Sequence, residues 1–128
     1  MIRILVVDAC EPTRNALAMR LAVEADMEVV GSAADASTAL LLAAQVRPDV
    51  VLMDVCLRKN DGFELMRQLR AMLPDTSLVV LTLYGDPGKR AAAMAAGACA
   101  FREKDGNCSA LVDAIREAAR VPSSDAVV

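Results

Sequence analysis

Residues 48–54 read Pro-Asp-Val-Val-Leu-Met-Asp, with four consecutive apolar side chains between two aspartates. An apolar run of this length without polar alternation is typical of a strand that is buried on both faces of a parallel sheet. Two similar runs occur at residues 4–7 and 78–81, and two weaker ones at 28–32 and 98–102. The sequence therefore predicts five strands, three of them fully buried.

Helical patterns fill the intervals between these strands. Proline, aspartate and glycine residues mark their ends, as helix caps do. The predicted helices cover residues 12–25, 35–46, 62–73 and 86–97, and a fifth begins at Asn107 or Ser109. Five strand-helix units in alternation indicate an α/β domain built around a parallel sheet.

The composition and charge of the chain limit the kinds of protein that it can be. The chain has 128 residues, 55% of them apolar, which suffices for one domain with its own core. The net charge is −3 and the basic residues are scattered, so direct binding to nucleic acid or to an anionic membrane is not expected. Asp8 interrupts the opening apolar run, which argues against a signal peptide or a membrane span and for a cytosolic location.

The chain contains no histidine, which excludes imidazole acid-base catalysis and histidine-ligated zinc. Its four cysteines, Cys10, Cys56, Cys99 and Cys108, are widely spaced, and we interpret them as reduced small apolar residues rather than a disulfide framework. Any chemistry must therefore use carboxylates, lysine, hydroxyls, thiols or a hard metal ion.

Polar side chains follow four of the predicted strands. Asp8 follows the first, Asp54 the third, Thr82 the fourth, and Lys104 lies shortly after the fifth. The carboxyl ends of parallel strands meet at one edge of a sheet, where ligands bind. Two carboxylates, a hydroxyl and an ammonium at one edge are suited to a magnesium ion and a phosphoryl group, so an aspartyl-phosphate site is predicted.

Over about residues 2–120 the chain resembles the receiver domain of two-component response regulators. The resemblance rests on motifs that occur in the family's order and spacing: Ile4-Leu5-Val6-Val7-Asp8, Pro48 to Asp54 followed by Asp61-Gly62, Val80-Leu81-Thr82, Ala96-Gly97-Ala98 leading to Phe101, and Lys104-Asp105. It implies a flavodoxin-like (βα)5 three-layer sandwich whose parallel sheet has the strand order 2-1-3-4-5. Residues 1–121 would form the receiver domain and residues 122–128 a flexible tail without an output module.

The resemblance also implies a function, phosphorelay signal transduction without enzymatic turnover. Asp54 would accept a phosphoryl group from a partner's phosphohistidine, Asp8 would help to hold magnesium, Thr82 and Lys104 would contact the phosphoryl group, and Phe101 would be the switch aromatic. The donor would be a sensor histidine kinase or a phosphotransfer protein. An output partner, or a second copy in a homodimer, would bind the face formed by helix 4, strand 5 and helix 5.

Three residues depart from the family pattern. Ala9 stands where a second acidic residue is usual, which predicts a weaker magnesium site formed by Asp8, Asp54 and the backbone carbonyl of Cys56. Glu11 is a less favoured substitute ligand. Leu83 follows Thr82 where a small residue is usual, and Arg58 replaces a usual proline in the loop after Asp54.

These departures leave alternatives open. The main one is a pseudo-receiver, an adaptor that binds its partner without phosphorylation. A small-molecule-binding flavodoxin-like domain is a weaker alternative, because the first strand is not followed by a glycine-rich loop. A minor hypothesis is a redox-sensitive thiol pair, Cys10 and Cys56, at the rim of the site.

Overall fold

Strands and helices alternate along the whole computed structural model, which describes residues 1–57, 62–82, 86–104, 106 and 108–120. The elements in chain order are β1 (Ile2–Val7), α1 (Glu11–Ala22), β2 (Met27–Ala33), α2 (Ala36–Val46), β3 (Val50–Met53), α3 (Gly62–Met72), β4 (Ser77–Thr82), α4 (Pro87–Ala95), β5 (Ala98–Glu103) and α5 (Cys108–Arg120). The five predicted strand-helix units are therefore confirmed.

The strands form one parallel sheet in the order β2-β1-β3-β4-β5. The register brings Val7 beside Met53, and Met53 beside Val80. Strands β1 and β3 consequently end side by side, and the residues that follow them emerge at the same edge of the sheet. The predicted flavodoxin-like architecture and strand order are confirmed.

Apolar side chains cover the sheet on both faces because successive strand residues point in opposite directions. Leu5, Val51 and Met53 pack towards α2, α3 and α4, where Leu65 and Leu69 are fully buried. The other face carries Ile4, Val6, Val50, Leu52 and Val79 against Leu21 of α1 and Leu111 and Ile115 of α5. The two helix layers and the sheet between them are the three layers of the predicted sandwich. Because β3 packs against both helix layers, its four residues are all apolar.

Helix α1 differs from its prediction, since it ends at Ala22 instead of residue 25. Beyond it the carboxylates of Glu24 and Asp26 bind the guanidinium of Arg116 on α5. The amide of Ile2 also donates to the carbonyl oxygen of Asp26 at 2.8 Å, so the segment before β2 is bonded to both β1 and α5. The amides of Glu24 and Met27 donate to the carbonyl oxygens of Leu21 and Glu24, so the chain turns after Ala22, which helical periodicity does not show.

Two predictions concern residues outside the described ranges. These are the start of the fifth helix at Asn107 and the flexible tail at residues 122–128. The described part of α5 begins at Cys108. Across the described ranges, no helix is both long and apolar enough to cross a membrane.

Candidate functional site

Two buried carboxylates lie side by side at the carboxyl edge of the sheet. Asp8 follows β1 and Asp54 follows β3, and their relative exposures are 3% and 7%. The amide of Asp54 donates to the carbonyl oxygen of Val7 at 3.0 Å, and the amide of Asp8 donates to that of Ala33 at 3.0 Å. The backbone of the sheet thus fixes both carboxylates.

Lys104 joins the two carboxylates. Its backbone amide donates to the carbonyl oxygen of Thr82 at 2.8 Å, which extends the pairing of β4 with β5 by one bond. Its Nζ atom lies 2.7 Å from Oδ2 of Asp8 and 2.6 Å from Oδ2 of Asp54. Burial alone would lower the pKa of Lys104, but the hydrogen bonds to Asp54 and Asp8 outweigh it and raise the pKa. The lysine is therefore a cation in this site.

The second oxygen of each carboxylate is also bound. Oδ1 of Asp8 accepts the amide of Cys10, and Oδ1 of Asp54 accepts the amide of Cys56, each at 2.8 Å. Aspartates commonly bind the amide two residues further on at the end of a strand. Two carboxylates against one ammonium leave this cluster with one negative charge in excess, so it is suited to a further cation.

Thr82 reaches the same edge of the sheet as the last residue of β4. The strand ends one position later than predicted because Thr82 still pairs with Glu103 of β5. Its side chain is fully buried. The hydroxyl oxygen lies 3.7 Å from the Sγ atom of Cys56, two residues after Asp54. The four residues predicted from the strand ends, Asp8, Asp54, Thr82 and Lys104, therefore belong to one site.

Phe101 lies in β5 beside Val80 and is 4% exposed. It packs in the core layer that also contains Met53 and Leu65. The ring is therefore in a buried position next to the strand that carries Thr82. Its role as a switch remains a prediction.

The donor set fits a hydrated magnesium ion, which commonly takes only one or two protein carboxylates and completes its octahedron with water. Asp8 and Asp54 supply those carboxylates, and the backbone carbonyl of Cys56 is the predicted third donor. Ala9 is exposed and adds no ligand, and Glu11 is exposed at the start of α1. Within the described ranges, no three aspartate, glutamate or cysteine side chains lie close enough together to hold a metal ion. Glu11 is therefore not a third side-chain ligand beside Asp8 and Asp54.

The cysteines are free thiols, and Cys10, Cys56 and Cys99 are exposed, which corrects their interpretation as small apolar residues. Cys10 and Cys56 follow β1 and β3, and Cys99 lies in the edge strand β5. Thr13 donates to the Cys10 thiol through its side chain and its backbone, and both bonds lower the pKa of Cys10. The proposed redox pairing of Cys10 with Cys56 stays a prediction.

Several predictions concern residues outside the described ranges. They involve the loop residue Arg58, the motif residue Asp61, the bulky Leu83 beside Thr82, and Asp105 after Lys104. The effects expected from Arg58 and Leu83 remain predictions.

Sequence reasoning missed the contacts of Arg14 and Lys89 and the reason why residue 62 is a glycine. Arg14 donates from Nη1 to the carbonyl oxygen of Asp8 at 2.7 Å, and Lys89 on α4 places Nζ 3.9 Å from the Cys56 sulfur. Gly62 begins α3 where a Cβ atom would overlap the backbone of Val55. Of these features, only the glycine after Asp61 has a signal in the sequence. The contacts of Lys89 and Arg14 depend on how the helices pack beside the sheet.

Comparison with known sequences supports one family. The profile described as response regulator receiver domain matches residues 4–116. The transcriptional regulatory protein LiaR of Bacillus subtilis is 38% identical over 120 residues, which are 94% of this chain and 57% of that protein. The response regulator protein VraR of Staphylococcus aureus is 30% identical over 119 residues, 93% of this chain and 57% of the relative. The chain thus spans about half the length of the curated relatives that it matches.

Comparison with solved structures supports the same family. The response regulator domain of CheB from Thermotoga maritima superposes with a TM-score of 0.88 at 28% identity, covering 94% of this chain and 98% of that one. A two-component response regulator of the LuxR family from Aurantimonas gives a TM-score of 0.87 at 28% identity, with coverages of 92% and 84%. The similarity extends over almost the whole chain.

Proposed function

Because the chain belongs to the response regulator receiver domain family, we propose that it acts in phosphorelay signalling by accepting a phosphoryl group on Asp54. The observation that carries the proposal is the bridging position of Lys104, whose ammonium contacts both Asp8 and Asp54. An ammonium placed there neutralises charge where a phosphoryl group must bind, and positioning and charge stabilisation account for most catalysis of phosphoryl transfer.

In the transfer step, a carboxylate oxygen of Asp54 attacks the phosphorus of the donor. The bond from phosphorus to the donor's imidazole nitrogen breaks as the new phosphorus-oxygen bond forms, and the departing nitrogen retains the electron pair. This chain has no histidine, so the phosphohistidine belongs to a kinase or phosphotransfer protein, unless a small acyl phosphate is the donor. The product is one phosphorylated chain per donor, which makes the protein a stoichiometric acceptor and not a turnover enzyme.

The chain's own residues orient this step. The amide of Cys56 holds Oδ1 of Asp54 and Lys104 holds Oδ2, so the nucleophile keeps one direction. Thr82, whose hydroxyl lies close to the Cys56 side chain, is placed to donate to a phosphoryl oxygen after a small movement. When bound, Mg²⁺ at Asp8, Asp54 and the Cys56 backbone carbonyl supplies further neutralisation of phosphoryl charge.

Phosphorylation then shifts an equilibrium between two conformations, with Thr82 and Phe101 as the residues that move. The proposed output surface is the α4-β5-α5 face. We place a protein partner, or a second copy of the chain, on this face and propose no direct contact with nucleic acid. We propose a cytoplasmic location, where a kinase or phosphotransfer donor would reach Asp54.

The test is the intact mass after incubation with acetyl phosphate and Mg²⁺. The wild-type chain should gain the mass of one phosphoryl group, and Asp54→Asn should gain none. If the wild type is never labelled at any magnesium concentration, the proposal is wrong and an adaptor that binds without phosphate becomes the better description. Labelling that persists in Asp54→Asn would place the acceptor elsewhere.

A further inference from the structure

The Cys56 thiol and the Lys89 ammonium lie together at the mouth of the carboxylate site. Cys56 is exposed, and its sulfur is 3.7 Å from Oγ1 of Thr82 and 3.9 Å from Nζ of Lys89. Its backbone amide holds Asp54. A lysine from α4 therefore lies beside the residue whose amide holds Asp54 and whose sulfur contacts Thr82.

The start of α4 holds Lys89 in this place. Asp86 caps the helix, and its carboxylate accepts the Lys89 amide at 2.7 Å. Lys89 is half-buried in the first helical turn, and the next residue, Arg90, is exposed. Successive residues of a helix point about 100° apart, so Arg90 has the same charge but a different direction.

The charge of the site calls for a second cation. Lys104 is engaged by two carboxylates at once, and among these three side chains one negative charge remains in excess. Until Mg²⁺ binds, a phosphoryl donor that carries its own negative charge is repelled by this excess. An ammonium at the mouth offsets the repulsion, and lysine binds phosphoryl oxygens as a compact, flexible point charge.

We propose that Lys89 is a binding residue for the incoming phosphoryl group, an inference that rests on the proposed function of Asp54. Lys89 leaves the Cys56 sulfur and donates an N–H to a phosphoryl oxygen as the group approaches Asp54. It transfers no proton and forms no covalent bond.

The experiment measures the rate at which acetyl phosphate labels Asp54, followed by intact mass on the full chain. Lys89→Met removes the charge and keeps most of the length, Lys89→Arg keeps the charge, and Arg90→Met removes a charge from the same helical turn. Since charged hydrogen bonds are the stronger class, Lys89→Met should slow labelling roughly tenfold. Lys89→Arg should retain most of the rate, and Arg90→Met should stay within about twofold of the wild type.

The dependence of the labelling rate on salt is a second measurement, which a purely structural role of Lys89 would not change. The Debye length falls from about 10 Å at ~0.1 M salt to about 3 Å at ~1 M. The labelling rates of the wild type and Arg90→Met should therefore fall with salt more steeply than that of Lys89→Met. Thermal midpoints verify that each variant is folded.

The results distinguish a failure of the proposed function from a failure of the proposed role of Lys89. If the wild type is not labelled, the proposed function is wrong. If the wild type is labelled and Lys89→Met matches Arg90→Met in rate and salt dependence, Asp54 is the acceptor but Lys89 does not bind the phosphoryl group. An equal loss in Lys89→Arg and Lys89→Met would likewise overturn a role based on charge.

Discussion

Lys104 and Asp54 are 50 positions apart in the chain, yet Nζ of the lysine lies 2.6 Å from Oδ2 of the aspartate. The same ammonium contacts Asp8, and both carboxylates are nearly inaccessible to solvent. The lysine thus holds the ends of β1, β3 and β5 together through charge. Its removal leaves two buried carboxylates next to each other without a counter-ion.

Lys104→Met should lower the free energy of unfolding by about 2 kcal/mol at neutral pH, because uncompensated buried charge is costly. Urea denaturation monitored by circular dichroism measures the loss, and Lys89→Met is the matched control for losing a lysine at the rim. Added Mg²⁺ should recover more stability in Lys104→Met than in the wild type, because it supplies the missing positive charge. A loss no larger than that of Lys89→Met would contradict the bridging role of Lys104.

Ala9→Asp should tighten magnesium binding. The exposed Ala9 directly follows Asp8, and ligand charge count is a main determinant of affinity, so we expect roughly a tenfold lower dissociation constant. Titration calorimetry measures it. Asn15→Asp adds the same charge on an exposed position of α1 and should leave the affinity nearly unchanged. Equal affinities in Ala9→Asp and the wild type would place residue 9 away from the metal.

The strand order and the carboxylate-lysine cluster could be predicted from the sequence for one physical reason. Strands buried on both faces must be continuously apolar, so β1, β3 and β4 stand out, and parallel strands deliver their following residues to one edge. Asp8, Asp54 and Lys104 were found in this way. Their contacts depend on backbone topology more than on side-chain conformation.

The remaining features depend on contacts that local patterns do not encode. Lys89 meets Cys56, 33 positions earlier in the chain, only through the packing of α4. Glu24, just beyond the end of α1, binds Arg116 at a separation of 92 positions. Neither contact leaves a periodic signal in the sequence.

The contact of Arg116 with Glu24 and Asp26 predicts a particular acid response. Hydrogen bonds from Arg20 and Arg116 lower the pKa of Glu24, and a hydrogen bond from Arg116 lowers that of Asp26. A carboxyl group whose pKa is lowered by folding stabilises the fold at pH values above its pKa in the unfolded chain, which is about 4.3 for glutamate. This stability is lost as the pH falls through the pKa of the folded state.

Arg116→Met should therefore be less stable than the wild type at neutral pH, and the difference should shrink as the pH falls below about 4. Thermal midpoints measured from pH 7 downwards test this. Arg67→Met is the control, because the pair of Arg67 with Glu64 is solvent-exposed on α3 and contributes little. If the gap between Arg116→Met and the wild type is the same at every pH, the carboxylates are not its source.

Gly62→Ala should impair both stability and phosphorylation. An added Cβ would overlap the carbonyl oxygen and Cα of Val55, which are backbone atoms that cannot rotate away. Relief requires the segment after Asp54 to move, including Cys56, whose amide orients the Asp54 carboxylate. Overpacking of this kind typically costs about 1–3 kcal/mol, and labelling by acetyl phosphate should slow in the population that remains folded.

Gly31→Ala is the matched control, since a Cβ at that position would meet the ends of the Leu5 and Leu42 side chains, which can shift. It should lose less stability than Gly62→Ala and be labelled at nearly the wild-type rate. Labelling is measured per folded molecule, so that unfolding does not count as a site defect. If Gly62→Ala is destabilised but each folded molecule is labelled normally, the approach of Gly62 to Val55 supports the fold without orienting Asp54.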